Sequence, residues 1–303
     1  MAGRLDGQVA VVTGSGRGIG RAYAKALAAE GASVVVNDNG SEMNGKGHSK
    51  EPADKVVEEI VERGGKAVAS YEDVSKHEQA VKIVQTAKER FGRLDLMMTN
   101  AGADRRGFVL DLGPEDFEAT LGTHVFGSIY CAVEAAKVMR DQGGGAIITI
   151  TSGAFYGGTM RLAPYVVSKG STYSLMRALS QELEKFNISV NAIAPGFTKT
   201  RATIEYLRGI ATDEKDPERA KRMEAGFQDP EAMAPLAVYL ATPEGRRITG
   251  HAFTIGGSNQ LAVIAPPTVA TTVYSPTPKW DAESLIKALS RAVAPTMPSP
   301  QQR

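Results

Sequence analysis

The stretch from Val9 to Asp38 leaves this chain few folds to choose from. Val9-Ala10-Val11-Val12 is a short, unbroken apolar run, the pattern of a strand buried on both faces. It leads into Thr13-Gly14-Ser15-Gly16-Arg17-Gly18-Ile19-Gly20, then an Ala-rich helical stretch over 21–30 closed by Gly31. A second apolar run, Ser33-Val34-Val35-Val36, ends in Asn37-Asp38. Glycines in such a turn let the backbone approach a pyrophosphate. The helix behind them offers free N–H groups and the positive end of its dipole. An acid after the second strand can accept hydrogen bonds from the hydroxyls of an adenosine ribose. Gly14, Gly18, Ile19, Gly20 and Asp38 are therefore expected to bind a dinucleotide.

The rest of the chain repeats the alternation. Pro52 opens a helix to about Arg63, and 66–71 reads as a third strand. Ser75-Lys76-His77-Glu78 has the form of a capping box, ahead of a helix with Val81, Val84 and Ala87 on one face. A fourth strand over 94–99 runs into Asn100-Ala101-Gly102. One helix carrying Phe117, Leu121, Val125 and Ile129 continues toward Met139 and stops at Gly143-Gly144-Gly145. A fifth strand over 146–151 delivers Ser152 at its C-terminal end, the edge where open parallel sheets hold ligands. Pro164 starts the next helix, 188–194 is a sixth strand ending at Pro195-Gly196, and 252–255 is a seventh.

This pattern predicts an α/β fold with a Rossmann-like, doubly wound parallel sheet of about seven strands. One domain over 1–261 is expected, with a small substrate cap over about 200–228 and a Pro-rich extension over 262–303. Within the cap, 203–210 reads as a short helix and Asp216-Pro217 starts another. In the extension, Pro266-Pro267, Pro276 and Pro278 imply an extended path. Asp281 then begins a helix with Leu285, Leu289, Ala292 and Val293 on one face, and the chain after Pro295 reads as disordered.

Tyr165 and Lys169 stand four apart on one face of the predicted helix. Two charges ~4–5 Å apart at an effective dielectric near 20 interact by roughly 3–4 kcal/mol. That would lower the phenol toward about 7–8, the range of a general acid or base at neutral pH. The spacing alone is common on ordinary surface helices; its company elsewhere gives it meaning.

Composition narrows the class further. A net charge of +1 points to no nucleic-acid or membrane partner. Cys131 is the single cysteine, so no intrachain disulfide forms, which fits a reducing compartment. His48, His77, His124 and His251 lack metal-ligand spacing, and no metal is expected. Neither a secretory leader nor a peroxisomal address is read, and a cytoplasmic enzyme is expected.

Thr13-Gly14-x-x-x-Gly18-x-Gly20, Asn100-Ala101-Gly102, Ser152 and Tyr165-x-x-x-Lys169 together resemble the short-chain dehydrogenase/reductase family over about residues 5–260. The 13 residues between Ser152 and Tyr165 match the family's spacing. The resemblance implies that Tyr165 takes the proton of an alcohol, Ser152 fixes the substrate oxygen, and Lys169 favours the phenolate and binds the nicotinamide ribose. Asp73, Val74, Asn100, Ala101, Gly102, Pro195, Gly196, Thr198 and Thr200, with Tyr165 and Lys169, fall where that family meets its cofactor. Asp38 favours NAD, whereas Arg17 in the glycine turn is the contrary signal that leaves NADP possible. A homodimer or homotetramer is expected.

Two positions depart from the family pattern. Thr99 stands where asparagine is commoner. His124 stands where an asparagine helps hold a water in a proton relay; histidine can serve the same relay or be a satisfied core residue. Residues 8–100 and His124 resemble the (3R)-hydroxyacyl-CoA dehydrogenase region of multifunctional β-oxidation enzymes. That implies a 3-hydroxyacyl-CoA substrate, with Arg105 and Arg106 placed to meet CoA phosphates or to form a solvated basic loop. A dehydrogenase of a hydroxysteroid or other bulky secondary alcohol is the alternative. A 3-oxoacyl reductase and a non-catalytic cofactor-binding regulator stand behind it, the first disfavoured by Asp38 and the second by the intact Ser152, Tyr165 and Lys169.

Overall fold

The structure of the protein, a computed structural model, describes residues 3–212, 216–256, 260–266, 272 and 282–292. Two compact units divide the chain, one over 1–264 and one over 265–303. The first begins β1 (Val9–Thr13), α1 (Gly18–Ala29), β2 (Ser33–Asn37), α2 (Glu51–Glu62), β3 (Lys66–Ser70), α3 (His77–Phe91) and β4 (Leu96–Thr99). Next come α4 (Pro114–Leu121), a π-helical turn over Gly122–Phe126, α5 (Gly127–Gln142), β5 (Gly145–Ile150), the short α6 (Ala154–Gly157) and α7 (Ala163–Leu183). The unit closes with β6 (Ile188–Pro195), α8 (Arg201–Thr212), α9 (Pro217–Glu224), α10 (Ala234–Ala241), β7 (Ala252–Gly256) and β8 (Gln260–Ile264).

The strands form one sheet in the order β3-β2-β1-β4-β5-β6-β7-β8, parallel except for β8. Successive valines of β2 point to opposite faces, so Val34 and Val36 join one core and Val35 the other. The first core packs Tyr23, Leu27, Val56, Ile60 and Leu240 on the sheet. The second packs Ile83, Val84, Met139, Met176 and Leu179. Helices on both faces explain why the strands read as continuous apolar runs rather than alternating ones. A third, small cluster of Leu207, Ile210, Ala220 and Phe227 holds α8 and α9 together. Among the described residues no helix is long and apolar enough to cross a membrane.

Three local expectations are corrected. The sheet has an eighth strand where an extended path was expected from residue 262: β8 runs antiparallel to β7, with Phe253 opposite Val263. Its apolar run is long enough to form a hairpin before the prolines begin. The capping box at Ser75 does not form, and α3 starts at His77 with Lys76 as its uncapped N-terminal flank. The Asp73 carboxylate takes the Ser75 N–H at 2.9 Å, while Gln79 Oε1 accepts from the Asp73 N–H at 2.7 Å. Local carboxylate chemistry thus displaces the hydroxyl from its cap role. Finally, the single helix expected through 117–139 is α4 and α5 joined by the π turn, which carries His124.

The two cap helices stand where the sequence places them. Asp216 caps α9, accepting from the Arg219 N–H at 2.9 Å. In the second unit, α11 (Ala282–Ala292) forms, with Leu285 exposed and Lys287 paired to Glu283 at 2.6 Å. The Leu289 side chain, Val293, Pro267, Pro276, Pro278 and the chain after Pro295 lie outside the described residues.

Candidate active site

The strand order reverses between β1 and β4, and a parallel sheet opens a crevice at that switch point. The turn after β1 shapes one wall. Gly14 has φ of 62°, and a β-carbon on it would stand 2.6 Å from Ala101 Cα. Only glycine suits both demands. Thr13 Oγ1 accepts the N–H groups of Asn100 and Ala101 at 3.0 and 3.1 Å. The Asn100 amide donates to the carbonyls of Thr13 and Gly14 at 2.9 and 3.0 Å. Asn100 therefore sets the shape of the glycine turn through its side chain, and Thr13, which the sequence reading passed over, is its partner. Only the fold reveals that pairing, since the two lie 87 residues apart.

These residues fit a dinucleotide. The N-terminus of α1, from Gly18, has no side-chain cap and no acid in its first turn, so its N–H groups are free for an anion. Gly20 lies buried in that turn, and Ile19 packs onto the first core. Asp38 follows β2 directly and lies over the turn. Its two carboxylate oxygens accept from the Gly16 and Gly40 N–H groups, each at 2.8 Å. Arg17 Nη1 donates to the Ser41 carbonyl at 3.2 Å, on the loop that follows Asp38. Asp73 and Val74 follow β3, and Val74 is buried against α5. Pro195 and Gly196 end β6 beside β7, Thr198 is buried with its hydroxyl on the Gly196 carbonyl at 2.8 Å, and Thr200 lies beside Gly18. The structure thus brings the nucleotide residues read from sequence to one edge of the sheet.

Ser152 and the start of α7 form the opposite wall. Tyr165 and Lys169 share one face of α7, with Lys169 Nζ 5.4 Å from the centre of the Tyr165 ring. The Ser152 hydroxyl is close enough to the Tyr165 phenol to pull its pKa down, and it accepts the Ala154 N–H at 3.2 Å. Lys169 is almost wholly buried, and its Nζ donates to the Ile150 carbonyl at 2.9 Å. Thr151 Oγ1 donates to the Lys169 carbonyl at 2.7 Å, so α7 is stapled to the end of β5 that delivers Ser152. Two hydroxyls thus converge where one substrate oxygen can meet both.

The electrostatics differ from the sequence expectation. The Tyr165 phenol is pushed up to about 12, not lowered toward neutrality. Burial is the main cause; the Ser152 hydrogen bond and the Arg106 charge oppose it, and Asp104 adds to it. Burial also pushes the Lys169 ammonium down to about 8, against the pull of Asp104. The lysine is directed at a carbonyl rather than at the phenol oxygen; it is buried and Tyr165 is partly so. Desolvation therefore wins over the attraction that i, i+4 spacing implies.

His124 occupies the π turn, a departure from α-helix that recurs at functional sites. Its ring meets the Tyr165 ring edge-on at 5.7 Å. Gly102 makes room for it: a β-carbon there would stand 2.5 Å from His124 Cε1. Burial and the Lys169 charge hold the imidazole well below its usual value, so it is neutral at pH 7, although a backbone hydrogen bond at Ala103 resists this. His124 Nε2 is buried with no partner. A ring nitrogen without a protein partner, edge-on to Tyr165, is compatible with proton relay. His124→Ala should lower kcat by about 10²-fold, the low end for a positioned acid–base group, and change the pH profile. Full activity with an unaltered profile would remove the relay.

Arg105 and Arg106 form neither a free phosphate patch nor a solvated loop. Arg106 Nη2 donates to Asp104 Oδ2 at 2.9 Å and to the Ala202 carbonyl of α8 at 2.8 Å. Its guanidinium lies over the Tyr206 ring at 5.6 Å, while Arg105 is drawn toward Asp116 at 3.8 Å. Asp104 is the second residue that the sequence reading missed; acids beside a basic pair were its only signal.

Comparison with known proteins agrees with this geometry. Residues 8–210 match the short chain dehydrogenase family. A short chain dehydrogenase from Mycobacterium avium superposes with a TM-score of 0.82 at 32% identity, covering 98% of each chain. The 3-oxoacyl-[acyl-carrier-protein] reductase of a Synechocystis species is 35% identical across 84% of this chain and 97% of its own. The peroxisomal hydratase-dehydrogenase-epimerase of Neurospora crassa is 37% identical across 84% of this chain, a match that takes up 27% of that longer protein. Likeness of this depth over most of the length places the protein by descent as well as by shape: the chain belongs to the short chain dehydrogenase family of NAD(P)-dependent oxidoreductases.

Proposed function

We propose that the protein is an NAD-dependent dehydrogenase that interconverts a secondary alcohol and a ketone, with a 3-hydroxyacyl-CoA-type thioester as substrate. The observation that carries the chemistry is the approach of the Ser152 hydroxyl to a part-buried Tyr165 phenol with Lys169 beneath it. In the oxidative direction the Tyr165 oxygen receives the carbinol proton and Ser152 holds the carbinol oxygen in place. The acceptor is the Tyr165/Lys169 pair with one proton already gone, in the phenolate form that the Lys169 cation beneath the ring favours. When bound, the nicotinamide supplies the two-electron acceptor for the hydrogen on the carbinol carbon. The α1 N-terminus and Asp38 would hold its pyrophosphate and adenosine ribose.

Asp38 supports NAD over NADP. Two backbone amides fix its carboxylate, so it cannot swing away from a 2′-phosphate. Two like charges ~4 Å apart at the protein surface repel by about 4 kcal/mol. For the substrate, the resemblance of residues 8–100 to (3R)-hydroxyacyl-CoA dehydrogenases and the likeness to a 3-oxoacyl reductase both favour acyl groups oxygenated at C3.

One matrix of rates tests both halves. Hydroxyacyl-CoA thioesters, hydroxysteroids and simple secondary alcohols are assayed with NAD and with NADP by the absorbance of the reduced nicotinamide. NAD should exceed NADP by at least roughly 10²-fold in kcat/KM, and 3-hydroxyacyl thioesters should be the preferred alcohols. A clear NADP preference would overturn the cofactor assignment. Activity confined to steroids or simple alcohols would sink the acyl-CoA assignment.

A further inference from the structure

The segment between β2 and α2 has a fixed shape of its own. Its ends meet, with the Ser49 N–H donating to the Asn39 carbonyl at 3.0 Å. Gly40 is pressed so closely on Ser49 that a β-carbon there would stand 2.0 Å from the Ser49 carbonyl oxygen. Two hydrogen bonds fold the tip: the Glu42 N–H donates to the Lys46 carbonyl and the Gly45 N–H to the Glu42 carbonyl, each at 2.8 Å. Closed ends and a folded tip make an Ω-loop, a form that often carries function.

This strap leaves the end of β2, passes the glycine turn after β1 and reaches the segment that follows β4. Arg17 donates to its Ser41 carbonyl at 3.2 Å, and its Met43 carbonyl accepts the Asp104 N–H at 2.9 Å. The tip also meets the cap, where Arg201 Nη1 donates to Glu42 Oε2 at 2.9 Å. Arg201 opens α8 and follows Thr200, which lies beside Gly18 at the N-terminus of α1. The Arg106 bond to the Ala202 carbonyl at 2.8 Å ties α8 to the segment after β4. Strap, β4 segment and α8 are thus linked pairwise over the crevice. A ring runs from Gly16 through Asp38 and the strap to Glu42, across the ion pair to Arg201 and Thr200, and back to Gly18. Its breakable link is the ion pair, whose side chains are 67% and 47% exposed. Beside that pair a cavity of about 470 Å³ lies between Met43 and Asn44 of the strap and Ile204 and Glu205 of α8, so charge rather than close packing joins the two.

Resting on the dinucleotide reading of this crevice, we infer that the strap gates the cofactor, with Glu42 and Arg201 as its buckle. A pyrophosphate seated on the free N–H groups of α1 lies inside the ring and leaves when the ion pair parts. Glu42 and Arg201 are positioning residues: they hold each other and do not touch the reacting atoms. Glu42 is an anion beside a site for an anion. By charge alone its removal would slow the cofactor's departure; as half of a buckle its removal speeds it.

The test is the release of NADH, measured by stopped-flow fluorescence during a chase with excess NAD; NADPH and NADP replace them if they bind more tightly. It compares wild type, Glu42→Gln, Arg201→Gln, the exchanged pair Glu42→Arg with Arg201→Glu, and a variant with 41–48 excised so that Gly40 joins Ser49. The two single variants should each release NADH about three- to fivefold faster, the scale of an exposed ion pair. The exchanged pair should return close to wild type. Excision also removes the Met43 hydrogen bond and should speed release by roughly tenfold or more. High salt should quicken release from wild type more than from Glu42→Gln, which has no pair left to screen. Release from Glu42→Gln no faster than from wild type overturns the inference, as does excision that leaves the rate unchanged. The single variants alter exposed side chains, so they decide the matter even where the excised chain fails to fold. Wild type that binds neither reduced dinucleotide overturns the reading of the crevice, and the inference with it.

Discussion

Tyr165→Phe is expected to lower kcat by about 10³-fold, within the range that a positioned acid–base group contributes, and to leave the Kd for NADH close to wild type. The change removes one oxygen and keeps the ring that packs against His124. The phenol oxygen is the group on which the Ser152 hydroxyl acts, and the α1 N-terminus and Asp38 on the other wall are untouched. Turnover by absorbance and NADH binding by fluorescence separate the two effects. Near-normal turnover would mean that another group takes the proton. A matching loss of NADH affinity would mean that the phenol holds the cofactor rather than the substrate.

The second large effect concerns Lys169. With Lys169 lowered to about 8 and Tyr165 raised to about 12, the pair gives up its first proton near pH 8 and its second far above. Alcohol oxidation needs the pair with one proton gone, so its kcat/KM should climb with pH through about 8 and then level. Ketone reduction needs the proton present and should fall over the same interval. Lys169→Met deletes the group that titrates there and leaves the phenol alone at about 12. The rising limb should then move above the accessible range, with a loss of about 10²- to 10³-fold at pH 8. A limb that stays near pH 8 in the variant would assign the titration elsewhere. The Ile150 carbonyl loses its donor in this variant, so a thermal melt should accompany the rates.

Much of this could be read from the chain. The strands announce themselves because both sheet faces are covered, so Val9 to Val12 and Val34 to Val36 have no polar residue to interrupt them. The glycine turn and Asp38 are close in sequence as well as in space, and Ser152, Tyr165 and Lys169 fall in one short stretch between the end of β5 and the first turns of α7. Periodicity and spacing could not reveal what depends on the environment. The Tyr165 phenol goes up because the fold removes water from it, and no i, i+4 count contains that term. Arg106 reads as a loop cation, yet its acid is two residues away and its carbonyl partner, Ala202, is 96 residues on. The π turn at His124 runs from Gly122 to Phe126, ahead of Gly127, and the apolar periodicity across 117–139 does not distinguish it from continued α-helix. β8 had a local signal, the apolar run after Gly256-Gly257, but the prolines beyond it drew the reading toward an extended path.

The place of β7 in the sheet has a consequence for the life of the chain on the ribosome. Gly196 and the Thr198 loop lean on β7, through the Gly196 N–H to the Ile255 carbonyl at 2.8 Å, and this same segment brings Thr200 over the start of α1. A nascent chain that has emerged to residue 250 already contains Ser152, Tyr165, Lys169 and the whole glycine turn, but not the strand that props the clamp above them. The catalytic groups are thus translated first and the cofactor's last support comes afterwards.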